Sequence, residues 1–346
     1  MISFMNDYSE GAHERIIEAL TRSNLEQTVG YGMDEYCQLA KEMIRAKLNK
    51  ASSNIHFLVG GTQTNMTFIA AVLKPWQGVI AADTGHIAVH ESGAVEASGH
   101  KVLTLPNTDG KINAEQVERL IRDHYASESF EHTVQPGMVY ISQPTELGTI
   151  YHRDELEALS KVCRQYQIPL YVDGARLACA LTCEGNDISL TDLEEFTDAF
   201  YIGGTKMGAI FGEALVITNP RYHACFRYMI KQRGGLLAKG RLLGIQFIEL
   251  FKDDLYFEIG RHANRMARKL ETGIRELGYN FGSQSPTNQI FPIFSDELIA
   301  QLSEKYLFEH WERIDLTHSM IRLVTSWATK EENVDAFLKD LKDLSA

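Results

Sequence analysis

The chain has 346 residues, enough for one large domain and a smaller second one with separate cores. A composition of 44% hydrophobic and 23% charged residues is that of an ordinary globular protein, and a formal net charge of −12 argues against nucleic acid or an anionic membrane as the main partner. No stretch approaches the ~20 apolar residues that span a bilayer, the start MISFMNDYSEGAH lacks a secretory pattern, and five cysteines without a CxxC pair point to reduced thiols in the cytosol.

In chain order, short apolar runs closed by Gly, Asp or Pro alternate with segments of helical period. Strands are predicted over 56–59, 78–82, 101–105, 138–142, 169–172, 199–202 and 214–217. Between them, 114–125 puts Val117, Leu120 and Ile121 on one side of a helix. A second helix over 153–167 opens on Asp154 and Glu155 and ends before Pro169. Strand, helix and strand in alternation imply parallel pairing with crossover helices, hence a three-layer α/β domain with a mostly parallel sheet. Past residue 240 helical segments dominate over 241–277. Short strands come next, around 289–293 and 320–324, with a terminal helix from Glu331. The expected division is a large domain over 1–245 and a smaller α+β domain over 246–346.

In an open parallel sheet, ligands sit at the carboxyl ends of the strands, so the residues just past each strand are the functional candidates. The first strand leads to Gly60-Gly61-Thr62-Gln63-Thr64-Asn65 and an apolar helix over 66–73. This turn is either a phosphate cradle made of backbone N–H groups or a plain turn capped by Thr64. The second leads to Asp83-Thr-Gly-His86, and His86 is placed to stack on a flat ring, relay protons or merely cap a helix. The 138–142 strand leads to Glu146, a buried acid/base or a solvated loop carboxylate. The 169–172 strand leads to Asp173-Gly-Ala-Arg176. A carboxylate at the end of a buried strand needs a cation, which a protonated pyridine nitrogen or Arg176 itself would provide. The 199–202 strand leads to Gly203-Gly204-Thr205-Lys206, where a lysine beside glycines is close to backbone and partly desolvated. Each feature alone has a bland reading. A phosphate turn, a histidine, an aspartate and a lysine at successive strand ends together suit pyridoxal phosphate.

These residues resemble the threonine aldolase and β-eliminating lyase family of fold-type I pyridoxal-phosphate enzymes. The likeness covers nearly the whole chain and runs through Tyr31-Gly32-Met-Asp34-Glu35, Gly61-Thr-Gln-Thr-Asn65, His86, Asp173-Gly-Ala-Arg176, Thr205-Lys206-Met-Gly208 and Arg322-Leu-Val-Thr325. The resemblance implies a carbon–carbon lyase that splits β-hydroxy-α-amino acids such as L-threonine, L-allo-threonine or phenylserine into glycine and an aldehyde. It implies that Lys206 holds pyridoxal phosphate as a Schiff base, that Asp173 keeps the ring nitrogen protonated, that Gly61 and Thr62 bind phosphate and that His86 stacks on the ring. Arg176 and Arg322 would clamp the substrate carboxylate, with Arg176 also beside the cofactor. Asn6, from a segment over 1–12 that reaches the site, and Tyr31, from a neighbouring subunit, would line the pocket. A homodimer or homotetramer with its site at a subunit interface is implied as well.

Two positions depart from the better-known members. Glu146 stands where they have a second histidine, so the base for the β-hydroxyl proton is His86, Glu146 or a water. Leu237 stands where they have an arginine, leaving Arg233 or Lys239 to neutralise the phosphate. Both differences resemble a phenylserine aldolase-like branch. The same cofactor also supports β-elimination, racemisation and transamination, and a non-catalytic scaffold is the third alternative. No metal is expected.

Overall fold

Seven of the predicted apolar runs lie side by side in the computed structural model, which describes residues 1–50 and 52–345. A two-residue strand, β1 (Ile2–Ser3), opens the chain. The runs themselves are β2 (Asn54–Leu58), β3 (Gln77–Ala82), β4 (Val102–Leu105), β5 (Gln135–Ser142), β6 (Leu170–Asp173), β7 (Ala199–Gly203) and β8 (Glu213–Ile217). Their order across the sheet is β2-β8-β7-β6-β5-β3-β4. The neighbours from β4 to β7 pair in parallel, and β8 runs antiparallel to both β7 and β2. Chain order reverses between β3 and β5, so the crevice where a ligand is expected opens at their carboxyl ends.

Alternation along each strand sends side chains to opposite faces. Ile80, Val139, Val172, Phe200 and Val216 enter one buried cluster. Val79, Tyr140, Tyr171, Tyr201 and Leu215 enter the other. The α/β fold is thus the one expected from the sequence: helices cover both faces because both are apolar.

Five further strands build a second, smaller sheet region: β9 (Gln289–Ile290), β10 (Ile293–Ser295), β11 (Tyr306–Leu307), β12 (Glu309–Arg313) and β13 (His318–Val324). β13 pairs antiparallel with β9, β10 and β12. Its core takes side chains from helices Leu255–Glu276, Asp296–Ser303 and Glu331–Leu344. The N-terminal segment packs here: β1 pairs in parallel with β11, and Phe4 is fully buried in this core. The expected division between residues 245 and 246 falls within helix Arg241–Phe251, whose Phe247 and Leu250 belong to the large-domain core.

Some boundaries differ from expectation, for local reasons. The helix after β2 begins at Gly61, not at residue 66, with Gly60 as its N-cap and the Thr64 hydroxyl bonded back to Gly60 O at 2.9 Å. The single strand expected over 289–293 is two short ones, because Pro292 has no N–H to contribute to a ladder. The helix expected to reach residue 167 stops at Gln165, and Gln167 takes a left-handed φ of 55°. β12, whose sequence EHWER shows no clean alternation, was not anticipated.

Candidate active site

The carboxyl ends of β3, β5, β6 and β7, the start of the helix after β2 and the N-terminal segment enclose a cleft of about 620 Å³. Asp173 ends β6 and is 4% exposed. Tyr140 on β5 and Tyr201 on β7 share its face of the sheet, and their hydroxyls donate to its carboxylate at 2.7 and 2.5 Å. Asn65 Nδ2 and the Ala175 backbone N–H, each at 3.0 Å, complete four donors. Burial by itself would raise this carboxyl's pKa, but the His86 charge and the Tyr201, Asn65 and Tyr140 hydrogen bonds outweigh it and hold it below the ordinary value. Asp173 is therefore an anion at the cleft wall, hydrogen-bonded to neutral donors and facing the charge of His86.

Lys206 follows β7 through Gly203 and Gly204, where side chains have no room. A Cβ on Gly203 would lie 2.3 Å from Ala175 O, and one on Gly204 would lie 2.6 Å from Gly212 O. This tight turn places the lysine in the cleft with Asp173. Burial, then the Arg176 charge, lowers the pKa of its amine, with Asp7, Asp173 and Glu213 opposing. The result favours a neutral nucleophile.

His86 is held at two points. Its backbone N–H donates to Glu146 Oε1 at 2.9 Å, and its Nδ1 lies 2.9 Å from Glu91 Oε1. Glu91 is 5% exposed and also accepts from Asn65 Nδ2 at 2.8 Å, so Asn65 bridges Glu91 and Asp173. A carboxylate accepts, so Glu91 takes a hydrogen from Nδ1 and fixes the orientation of the ring. Glu146 lines the cleft and takes a second hydrogen bond from Ser142 Oγ at 2.7 Å. Burial raises its pKa against those donors. Between the two expectations for Glu146, solvated loop and buried carboxylate, the structure has a half-buried carboxylate with both hydrogen bonds to the protein.

Gly60, Gly61 and Thr62 line the other end of the cleft at the N-terminus of a 12-residue helix without a side-chain cap. A Cβ on Gly61 would stand 2.9 Å from the Tyr201 hydroxyl, so only glycine keeps this approach open. Arg176 does not pair with Asp173. It makes a two-pronged bond to Asp7, Nε to Oδ2 at 2.6 Å and Nη2 to Oδ1 at 3.1 Å. Asn6 and Arg322 line the cleft as expected.

Tyr31 and Arg233 are not brought into the cleft within one chain. Tyr31 sits on an outer turn, with its backbone N–H on Ala238 O at 3.2 Å and the Lys231 ammonium over its ring at 4.7 Å. The Arg233 side chain donates to Gln232, and its carbonyl accepts from Gln63. The Tyr31–Ala238 hydrogen bond and the Lys231–Tyr31 contact tie the two loops together, and neither Tyr31 nor Arg233 lines the cleft. Sequence reasoning missed Asp7, Glu91, Tyr140, Tyr201, Glu213, Glu309 and Trp311. Only the tyrosines carried a signal, as polar-tipped residues inside otherwise apolar strands.

Glu213, at the start of β8, is 4% exposed and accepts from the Gly204 N–H at 3.0 Å and the Thr205 hydroxyl at 2.8 Å. Burial pushes its carboxyl up to about 7. The folded chain then keeps a proton that the unfolded chain has already released, so this group subtracts stability as pH rises from 4.5 to about 7. Glu213→Gln is expected to flatten the fall in melting temperature across that window. Thermal melts at both ends of it check this, and an unchanged slope would refute it.

Comparison with known proteins agrees with this geometry. A family model described as beta-eliminating lyase matches residues 6–297. The low specificity L-threonine aldolase of Pseudomonas aeruginosa is 29% identical, over 98% of this chain and 96% of that protein. A solved threonine aldolase of Leishmania major is 44% identical, covers 100% of both chains and superposes with a TM-score of 0.97. The aspartate aminotransferase of Thermus thermophilus, 17% identical with a TM-score of 0.73, shares the fold.

Proposed function

The chain belongs to the β-eliminating lyase family, and from that premise we propose that it is a pyridoxal-phosphate-dependent carbon–carbon lyase cleaving β-hydroxy-α-amino acids to glycine and an aldehyde. The observation that carries the reading is one cleft holding a Lys206 amine of lowered pKa, an Asp173 carboxylate kept charged by His86 and its hydrogen-bond donors, and an uncapped helix N-terminus at Gly61. These residues fit the cofactor. An anion bonded only to neutral groups suits a protonated ring nitrogen, and free N–H groups at a helix start suit a phosphate.

When bound, pyridoxal phosphate withdraws electrons from the bond that breaks at Cα. The protein's part is to hold, orient and move protons. Lys206 would anchor the cofactor through its amine, and Asp173 would keep the ring nitrogen protonated. Gly61 and Thr62 would hold the phosphate. The His86 ring, oriented by Glu91, would lie against the cofactor. Arg322 and Arg176 bind the substrate carboxylate beside Asn6 and so direct the Cα–Cβ bond. His86, Glu146 and a bound water are the candidates to take the β-hydroxyl proton, Glu146 because burial raises its pKa.

The assembly is proposed to be a homodimer or a pair of dimers. Leu25, Val29, Met33 and Tyr228 are 91, 68, 55 and 78% exposed around the Tyr31 turn, an uncovered apolar strip that supports a second copy docking there. Tyr31 and Arg233 would then serve the partner's site. Four buried unpaired cysteines support a reducing compartment, the cytosol. No helix among the described residues is long and apolar enough to cross a membrane.

The test is a product assay with the pyridoxal-phosphate-loaded protein on threonine, allo-threonine and phenylserine in both enantiomers. Glycine and aldehyde in equal amounts are expected from the L-forms. Ammonia and an oxo acid without glycine would replace this reading with β-elimination, and enantiomer exchange would replace it with racemisation.

A further inference from the structure

Both arginines assigned to the substrate carboxylate already hold a carboxylate of this chain, and the two differ in kind. Asp7, on Arg176, is fully buried and takes three hydrogen bonds, two from Arg176 and one from Asn288 Nδ2 at 3.0 Å. Pulling it away would strand a buried charge, so this pair is permanent. Glu309, on Arg322, has a side chain 39% exposed, against 14% for Arg322, and its carboxylate touches Arg322 Nη2. Once released, Glu309 can turn into water at little cost.

The backbone explains the contact. Glu309 on β12 is the direct cross-strand partner of Arg322 on β13, and neighbours in such a pair face the same side. The register then slips between His310 and Glu312, making Trp311 the extra residue of a bulge. Bulges re-aim side chains, and the Trp311 ring lies 5.0 Å from the centre of the Arg322 guanidinium. Gln289 Oε1 accepts from Arg322 Nη1 at 3.3 Å, and Arg322 Nε is buried without an acceptor. Trp311 and Gln289 therefore hold the guanidinium in place whether or not Glu309 is on it, and the arginine keeps unused donor capacity.

We infer that Glu309 is an internal competitor for Arg322, a displaceable carboxylate that the substrate's carboxylate must replace, and so sets substrate affinity. The inference rests on the assignment of Arg322 to the substrate carboxylate. Glu309 acts through Arg322: it occupies the guanidinium that Trp311 and Gln289 hold until substrate arrives, and it also keeps the arginine from capturing other anions that enter the cleft.

The experiment measures kcat and KM for the pyridoxal-phosphate-loaded wild type, Glu309→Gln, Arg322→Lys and the double variant, with glycine as a competitive carboxylate probe. Glu309→Gln is expected to lower KM and the glycine inhibition constant about three- to tenfold, the gain lying in KM rather than in kcat. Arg322→Lys is expected to raise KM and to remove the effect of the second substitution in the double variant. If Glu309→Gln leaves KM unchanged or raises it while Arg322→Lys raises it, the competitor role is overturned and the assignment of Arg322 stands. If Arg322→Lys leaves KM unmoved, the assignment itself fails and the competitor role with it.

Discussion

Lys206→Ala is expected to abolish the violet-edge absorbance of the lysine-bound cofactor and to reduce glycine release by about 10³-fold or more. The size of the loss comes from the turn that carries the lysine. Gly203 and Gly204 leave no room for a Cβ, so the turn is confined, and among the described residues the cleft lining contains no second lysine to replace Lys206. Lys206→Arg is the control for charge and bulk. It keeps a cation, but one that stays protonated and cannot act as a nucleophile, so it should fail as completely as alanine. Absorbance spectra and turnover of the two variants, with melting temperatures to show that they remain folded, check the expectation. Full turnover in either would remove Lys206 from the chemistry.

Asp173→Asn is expected to lower kcat by about 10³-fold with the cofactor still bound. The side chain keeps its shape, but the negative charge that would hold a proton on the ring nitrogen is gone. The donors add to the effect. Tyr140, Tyr201, Asn65 and the Ala175 N–H all point at this carboxylate, whereas an asparagine offers one accepting oxygen and two hydrogens. At least one buried donor then loses its partner, at a cost of about 1–3 kcal/mol. A clear drop in melting temperature should therefore accompany the loss in kcat. A variant with near-normal kcat would show that the ring nitrogen needs no anion here.

The site was legible in the sequence wherever it lies directly after an apolar strand. Gly61, His86, Glu146, Asp173 and Lys206 all do, and all five line one cleft. The parallel sheet gathers strand ends at one edge, so position along the chain translates into position in space. Arg176 was legible as a site residue but not in its partnership, because Asp7 lies 169 residues away in sequence. Glu91 was hidden for another reason. It comes directly after His90, and nothing in the local pattern tells a buried carboxylate from one on a solvated face.

What the amino-acid sequence determined by itself is the sheet, its apolar runs and the groups at their ends, since alternation and turn residues act locally. What the tertiary structure alone decided is which charges meet. The Arg176–Asp7 pair, the Arg322–Glu309 pair on the bulged strand β12 and the Asn65 bridge between Glu91 and Asp173 join segments far apart in the chain. The places of Tyr31 and Arg233 were also decided there: the Tyr31 loop is bonded to Ala238 and the Arg233 carbonyl to Gln63, and neither residue lines its own chain's cleft. Ion pairs and hydrogen bonds depend on distances of about 3 Å, and no periodic pattern in a sequence encodes such a distance between elements that meet only after folding.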